Sequence, residues 1–322
     1  MIDNLKRSLL ILAGVLAVAL PFAGASAQEK LKVVATTGMI ADAARQVGGD
    51  LVDVQGLMGP GVDPHSYRQT RSDILAMTKA DLVLWHGLYL EAQMEEFMET
   101  LSKRRSVVAV ADSLPHDLLL SHDVYRNRFD PHVWMDPDLW ARVVTKVRDA
   151  LIAARPEGET QFSANAERHL KEIAALSDYA KRVLATVPEE RRVLITAHDA
   201  FKYFGRAYDF EVLGIQGIST QSEAGLSRVS ELVDTLVTRK IGAVFVESSV
   251  SDRNMRALVE GAAAKGQEVR VGGQLFSDAM GRDGTYEGTY IGMIDHNVTT
   301  ITRSLGGEAP ERGMHDRLSA GS

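Results

Sequence analysis

At 322 residues the chain is long enough for two ordinary domains with a substantial core, which excludes the peptide and mini-protein classes. Hydrophobic residues at 45% and charged residues at 25% match a globular protein and argue against wholesale disorder or a multi-span membrane protein. A formal charge of −7 offers no global attraction for nucleic acid or an anionic membrane, and the absence of cysteine excludes disulfides, thiolate metal sites, cysteine nucleophiles and a lipid-carrying cysteine.

The first predicted element is an address. Lys6 and Arg7 precede an apolar run over residues 9–20, and Ala25-Ser26-Ala27 supplies the small residues of a secretory cleavage site. Residues 1–27 are therefore expected to leave as a signal peptide cut after Ala27. The apolar run is short and broken by Pro21, whereas about 20 residues are needed to span a bilayer. Without a cysteine for a lipid, the mature protein is expected free in a bacterial periplasm.

Strand-like runs follow at 32–37, 52–58, 82–87 and 107–112, with helical patterns at 40–47, 72–79 and 91–102 between them. Each helical stretch is long enough for a crossover on a parallel sheet. The same alternation returns later, with strands at 193–197, 211–218, 243–247 and 268–272 and helices at 200–208, 226–239 and 254–265. Between the two blocks, residues 159–187 contain no Gly or Pro and carry apolar residues at steps of three or four from Phe162 to Val187. That stripe predicts one amphipathic helix, about 43 Å long at 1.5 Å per residue.

The expected fold is α/β: two lobes, each with a mostly parallel four-stranded sheet flanked by helices, over residues 28–158 and 188–305, joined by one long rigid helix over 159–187. The tail at 306–322, with adjacent glycines, a proline and mixed charges, is expected to be disordered.

With cysteine unavailable, the nine histidines are the natural metal-ligand candidates. His65 lies in a turn-rich segment, Gly59-Pro60-Gly61-Val62-Asp63-Pro64-His65, after the second strand. His132 lies in Asp130-Pro131-His132-Val133-Trp134-Met135-Asp136-Pro137, after the fourth. The Asp-Pro-His tripeptide thus occurs twice on strand-to-helix loops. Proline fixes the backbone before each imidazole, and a nearby aspartate can orient the ring through its second N–H. His198 ends the first strand of the second block, and Asp278 follows the last one.

All four positions fall at the carboxyl ends of predicted strands, where open α/β sheets place their ligand crevices. Three imidazoles and one carboxylate can close a tetrahedron, whereas a catalytic zinc site keeps a position for water. Glu247, which ends the strand at 243–247, fits as a partner of a ligand histidine or of Arg206, or as a structural carboxylate. Asp136, Glu247 and Arg206 are the groups placed to support the ligands from behind. His86 fits either such a role or plain packing, and His116 and His122 read as surface residues. Gly48-Gly49 and Gly272-Gly273 read as turn glycines. Enzyme signatures are thin, with no His-Glu-x-x-His helix, Gly-x-Ser-x-Gly elbow or phosphate-binding loop.

At these residues the chain resembles the TroA/ZnuA/PsaA-type family of periplasmic metal-binding proteins, closest to the TroA branch. The strings that carry the resemblance are Val33-Val34-Ala35-Thr36-Thr37-Gly38-Met39-Ile40, Gly56-Leu57-Met58 running on to His65, Asp130-Pro131-His132-Val133-Trp134, Thr196-Ala197-His198-Asp199-Ala200-Phe201 followed by Gly214-Ile215-Gln216-Gly217-Ile218-Ser219-Thr220, and Leu275-Phe276-Ser277-Asp278-Ala279-Met280-Gly281 with Gly288-Thr289-Tyr290. The resemblance implies a solute receptor of an ABC importer that takes zinc or manganese between two lobes, with His65, His132, His198 and Asp278 as ligands. It further implies a membrane permease and its ATPase as partners and a monomeric protein without nucleic acid. The manganese-specific PsaA branch has glutamate where His198 stands, and typical ZnuA proteins carry a histidine-rich loop that is missing here. The competing readings are a secreted zinc-dependent hydrolase using the same histidines, and a metal-binding adhesin, which would need a surface anchor.

Overall fold

The computed structural model describes residues 29–122, 125–221 and 225–319; the predicted signal peptide lies outside them. In the first lobe β1 (Leu31–Ala35), β2 (Val52–Gly56), β3 (Leu82–Trp85) and β4 (Ser106–Ala109) form one parallel sheet in the order β2-β1-β3-β4. Its connections are α1 (Gly38–Gly48), α2 (Arg71–Lys79) and α3 (Glu95–Ser102). Gly49, at φ 54°, ends α1 in a backbone conformation that glycine adopts without strain. At α2, Thr70 and Asp73 exchange side-chain and backbone hydrogen bonds in a capping box. The helix expected from residue 91 begins only at Glu95. Gly87, Leu88 and Tyr89 all have positive φ, and the Glu91 carboxylate accepts the backbone N–H groups of His86 and Gly87, which holds the chain in turns.

One long helix joins the lobes, and the helix before it packs on the first lobe. Asp136 caps α4 (Pro137–Ala154) by accepting the Asp138 N–H, and Pro137 occupies the first turn, where a missing N–H breaks no helical bond. After a short 3-10 turn, α5 (Glu159–Leu184) runs 26 residues, about 39 Å. It ends three residues before the predicted limit, in a turn leading to Pro188. Near its start Asn165 donates to the Val47 carbonyl of the first lobe, and near its end Tyr179 meets Thr299 of the second.

In the second lobe β5 (Val193–His198) pairs in parallel with β6 (Glu211–Gln216), and β7 (Ala243–Glu247) with β8 (Arg270–Leu275). The four expected strands are present, but their backbone ladders form two pairs rather than one continuous sheet. β5 and β7 lie side by side, and at their carboxyl ends the His198 N–H is taken by the Glu247 side chain instead of a carbonyl. Around them pack α6 (Lys202–Tyr208), α7 (Leu226–Arg239), α8 (Arg253–Ala264) and α9 (Tyr290–Ser304). Gly272 and Gly273, read as turn glycines, lie inside β8. A Cβ on the first would sit 2.8 Å from the Phe245 ring and on the second 2.5 Å from Thr300, so they let the strand lie close against β7 and α9.

One hydrophobic core runs through both lobes. It includes Val33, Ile40 and Leu84 of the first, Phe162 and Leu176 of α5, and Phe201, Phe245 and Ile301 of the second. At its centre the buried rings of Trp140 and Tyr290 stack with centroids 5.2 Å apart. Because burial of large apolar side chains dominates folding free energy, a core of this kind resists separation of the lobes.

The expected disorder of residues 306–322 is not what the structure shows for 306–319. The Met314 N–H donates to Asp295, the Ser319 N–H donates to Glu287 at 2.6 Å, and the Arg317 guanidinium lies over the Tyr286 ring. Leu318 is 1% exposed. Composition suggested a free tail, but two buried carboxylates, Asp295 on α9 and Glu287 just before it, capture its backbone N–H groups. Leu318→Ala is therefore expected to lower stability in urea unfolding by about 2–5 kcal/mol; an unchanged midpoint would mean that the tail contributes nothing to the fold.

Candidate metal centre

The two Asp-Pro-His segments fold alike at the backbone. Asp63 accepts the His65 N–H at 2.9 Å, and Asp130 accepts the His132 N–H at 3.0 Å, each aspartate bonding the amide two residues on. They differ at the ring. Asp130 Oδ1 also takes Nδ1–H of His132 at 2.7 Å. Among the described residues, no carboxylate makes the equivalent bond to His65.

His198 is the last residue of β5, and Glu247 the last of β7. The Glu247 carboxylate accepts both the His198 backbone N–H at 2.9 Å and its Nδ1–H at 2.6 Å. Both pinned rings thereby turn Nε2 forward, the tautomer that a metal ligand needs. Asp278, three residues beyond β8, brings its carboxylate to the same point, with Oδ1 3.4 Å from His132 Nε2 and Oδ2 3.1 Å from His198 Nε2. His65 Nε2 lies 3.2 Å from His132 Nε2.

All four side chains are buried, and one donor atom from each lies within 4.8 Å of the others. A tetrahedral ion bound at ~2.0–2.1 Å separates its ligand atoms by roughly 3.3 Å, close to the three spacings here. The two Asp278 oxygens and His198 Nε2 are buried without a hydrogen-bond partner, although buried polar atoms are normally paired. A cation at their common focus would satisfy all of them.

Burial opposes charge on each imidazole. At His65 it prevails and pushes the ring down to about 3. At His132 it is outweighed by the Asp130 and Asp278 carboxylates, which lift the ring to about 9. His198, between Asp278 and Glu247, is raised well above the ordinary value against the same penalty. Despite its burial, Asp278 is held well below the usual carboxylate range by the two facing rings. The carboxylates thus favour positive charge at His132 and His198, in a cluster that could hold a metal ion.

Of the supporting groups expected from sequence, Glu247 touches a site histidine. Asp136 does not, because its carboxylate caps α4, and Arg206 lies 4.0 Å from it, bonded to the Leu118 carbonyl and placed over the Tyr203 ring. The aspartate behind His132 is Asp130, and the signal for it was the two-residue spacing within Asp-Pro-His. His86 donates from Nε2 to the Pro131 carbonyl at 2.7 Å and braces the turn before His132. Three further groups were given no role from sequence, although Trp134 and Tyr290 stand within strings that carry the resemblance. Trp134 donates from its indole to the Ser277 carbonyl at 2.8 Å, Tyr203 donates to the Asp130 carbonyl at 2.8 Å, and Tyr290 donates to the Trp134 carbonyl at 2.8 Å. Each ties the loop of one lobe to an element of the other.

Comparison with known proteins shows the family to which the chain belongs. The profile of the family described as "Zinc-uptake complex component A periplasmic" matches residues 33–304. The manganese-binding lipoprotein MntA of Bacillus subtilis is 47% identical over 283 residues, covering 88% of this chain and 92% of that protein. The zinc-binding protein TroA of Treponema pallidum is 45% identical over 281 residues, covering 87% and 91%. The solved structure of periplasmic TroA from the same organism superposes with a TM-score of 0.84 over 86% of this chain and 99% of that one. The chain therefore belongs to the zinc-uptake complex component A family of periplasmic proteins.

Proposed function

We propose that this protein is the periplasmic receptor of an ABC importer, capturing a divalent transition metal between its lobes and delivering it to a membrane permease driven by an ATPase. The observation that carries this reading is the convergence of His65, His132, His198 and Asp278, two from each lobe, on one buried point. These four are the ligands, and the cargo is zinc or manganese, the metals named for the two relatives above. Among the described residues no helix is long and apolar enough to cross a membrane, and the chain has no cysteine to carry a lipid. We infer export through residues 1–27, release after Ala27 and a monomer free in the periplasm.

Three imidazoles favour zinc, which lies well above manganese in the stability order for nitrogen donors. The Asp278 carboxylate faces two histidines with its two oxygens, so it can also serve a larger ion in bidentate fashion. The protein therefore binds both, and zinc more tightly. A hydrolase is disfavoured because the four donors fill a tetrahedron and leave no position for an attacking water.

Three outcomes test this reading. Alanine at His65, His132, His198 or Asp278 is expected to weaken zinc binding by more than about 100-fold in calorimetric titration, beyond the effect usual for residues behind a ligand, while the metal-free variants stay folded. Wild-type affinity in two of the four would remove the assignment. In competition at neutral pH and equal free concentrations zinc should displace manganese; retention of manganese would reverse the stated preference. Because His132 and His198 hold protons until pH rises past their elevated pKa values, metal must displace those protons. Affinity should thus rise with pH between 6 and 8. Calorimetry in buffers of different ionisation enthalpy should show about one to two protons released per metal at pH 7, and release of none would contradict the charged pair.

A further inference from the structure

The two sides of the metal centre are closed by different physics. At the back, the indole of Trp134 is fully buried, packs edge-on against His132 and His86, and donates to the carbonyl of Ser277, the residue before Asp278. Tyr290 and Tyr203, equally buried, bond the same segment. Separating the lobes there would expose large aromatic side chains from the shared core.

At the front the lobes meet through hydrogen bonds donated by the half-buried Thr220 and the exposed Gln221. Thr220, on the loop after β6, donates from its hydroxyl to Asp63 Oδ2 at 2.7 Å, and the neighbouring Gln221 side chain donates to the His65 carbonyl. The same Asp63 carboxylate accepts the His65 N–H. Its grip on Thr220 is therefore continuous with the position of one donor of the centre.

His65 is also the histidine whose ring no carboxylate of the described residues holds from behind, whereas His132 and His198 are each pinned at Nδ1. A cavity of about 50 Å3 opens beside it, lined in part by Tyr89, Gln93, Pro131, Ser219 and Gln221. Of the three histidines, His65 is the one that neither Asp130 nor Glu247 holds at Nδ1, and it borders that cavity, so it can withdraw once the bonds to Thr220 and Gln221 are broken.

We infer that Thr220 and Gln221 form a latch across the mouth of the cleft, that the latch sets the rate of metal release, and that His65 is the first of the three histidines to let go. A permease that accepts the ion would have to open this side and could leave the Trp134 side intact. The inference rests on the metal-receptor reading, but it fails separately from it.

The test loads the full mature chain with zinc and measures release into excess chelator by stopped flow. Thr220→Val, which keeps the shape and removes the hydroxyl, and Gln221→Ala, as a second variant, are each expected to release zinc about tenfold to a hundredfold faster, the range for losing a hydrogen bond to a charged or buried acceptor. The absorption spectrum of the cobalt-substituted protein and the melting temperature of the metal-free form should not change. That separates a latch from a residue that shapes the ligand set or merely supports the fold. Release at the wild-type rate in both variants overturns the latch, as does an altered cobalt spectrum. Failure of the wild type to bind zinc in the preceding titration would instead overturn the receptor reading.

Discussion

The arrangement depends on the cost of gathering ionisable groups out of water. Three imidazoles and a carboxylate aimed at one buried point repel, compete for protons and lack solvent, and such a cluster persists only if its members are held by other bonds. Here the holding is done by Asp130 behind His132 and Glu247 behind His198. Each carboxylate fixes a ring nitrogen and the backbone N–H of the same residue, so the orientation of the imidazole and the position of its loop are set by one group. The rest of the molecule supplies the rigidity that makes this precision possible.

That rigidity comes from a core continuous across both lobes rather than from the long helix alone. α5 spans the molecule, but Trp140 against Tyr290 and Trp134 against Ser277 lock the lobes together near the centre itself. A receptor whose lobes share a core does not capture its ligand by a wide hinge motion. We infer that exchange uses the side where Asp63 and His65 meet Thr220 and Gln221 through hydrogen bonds rather than through large buried rings. On that reading tight holding and timely release fall to opposite faces of one site.

Much of the centre was legible before the fold was known. Proline before His65 and His132, the duplicated tripeptide and the placement of four candidate donors at strand ends are local properties, and strand ends in α/β sheets are where crevices form. The linking helix was legible from its apolar stripe. Composition misled at the C-terminus, where Gly, Pro and mixed charges suggested a free tail. The order there comes from Asp295 and Glu287, which the sequence separates from Met314 and Ser319 by 19 and 32 residues.

The sequence by itself determined the elements, their alternation and the identity of the four candidate donors, because these follow from periodicity, turn chemistry and residue type. Only the tertiary structure decided which carboxylate backs which histidine. Asp130 and not Asp136 serves His132, since Asp136 is consumed in capping α4, and Glu247 serves His198 across neighbouring strands rather than Arg206. It also decided that Trp134, Tyr203 and Tyr290 cross between lobes and that Thr220 reaches Asp63, 157 positions away in the chain. Such contacts depend on how the lobes dock, and docking is governed by the shape of a buried core that no local pattern records.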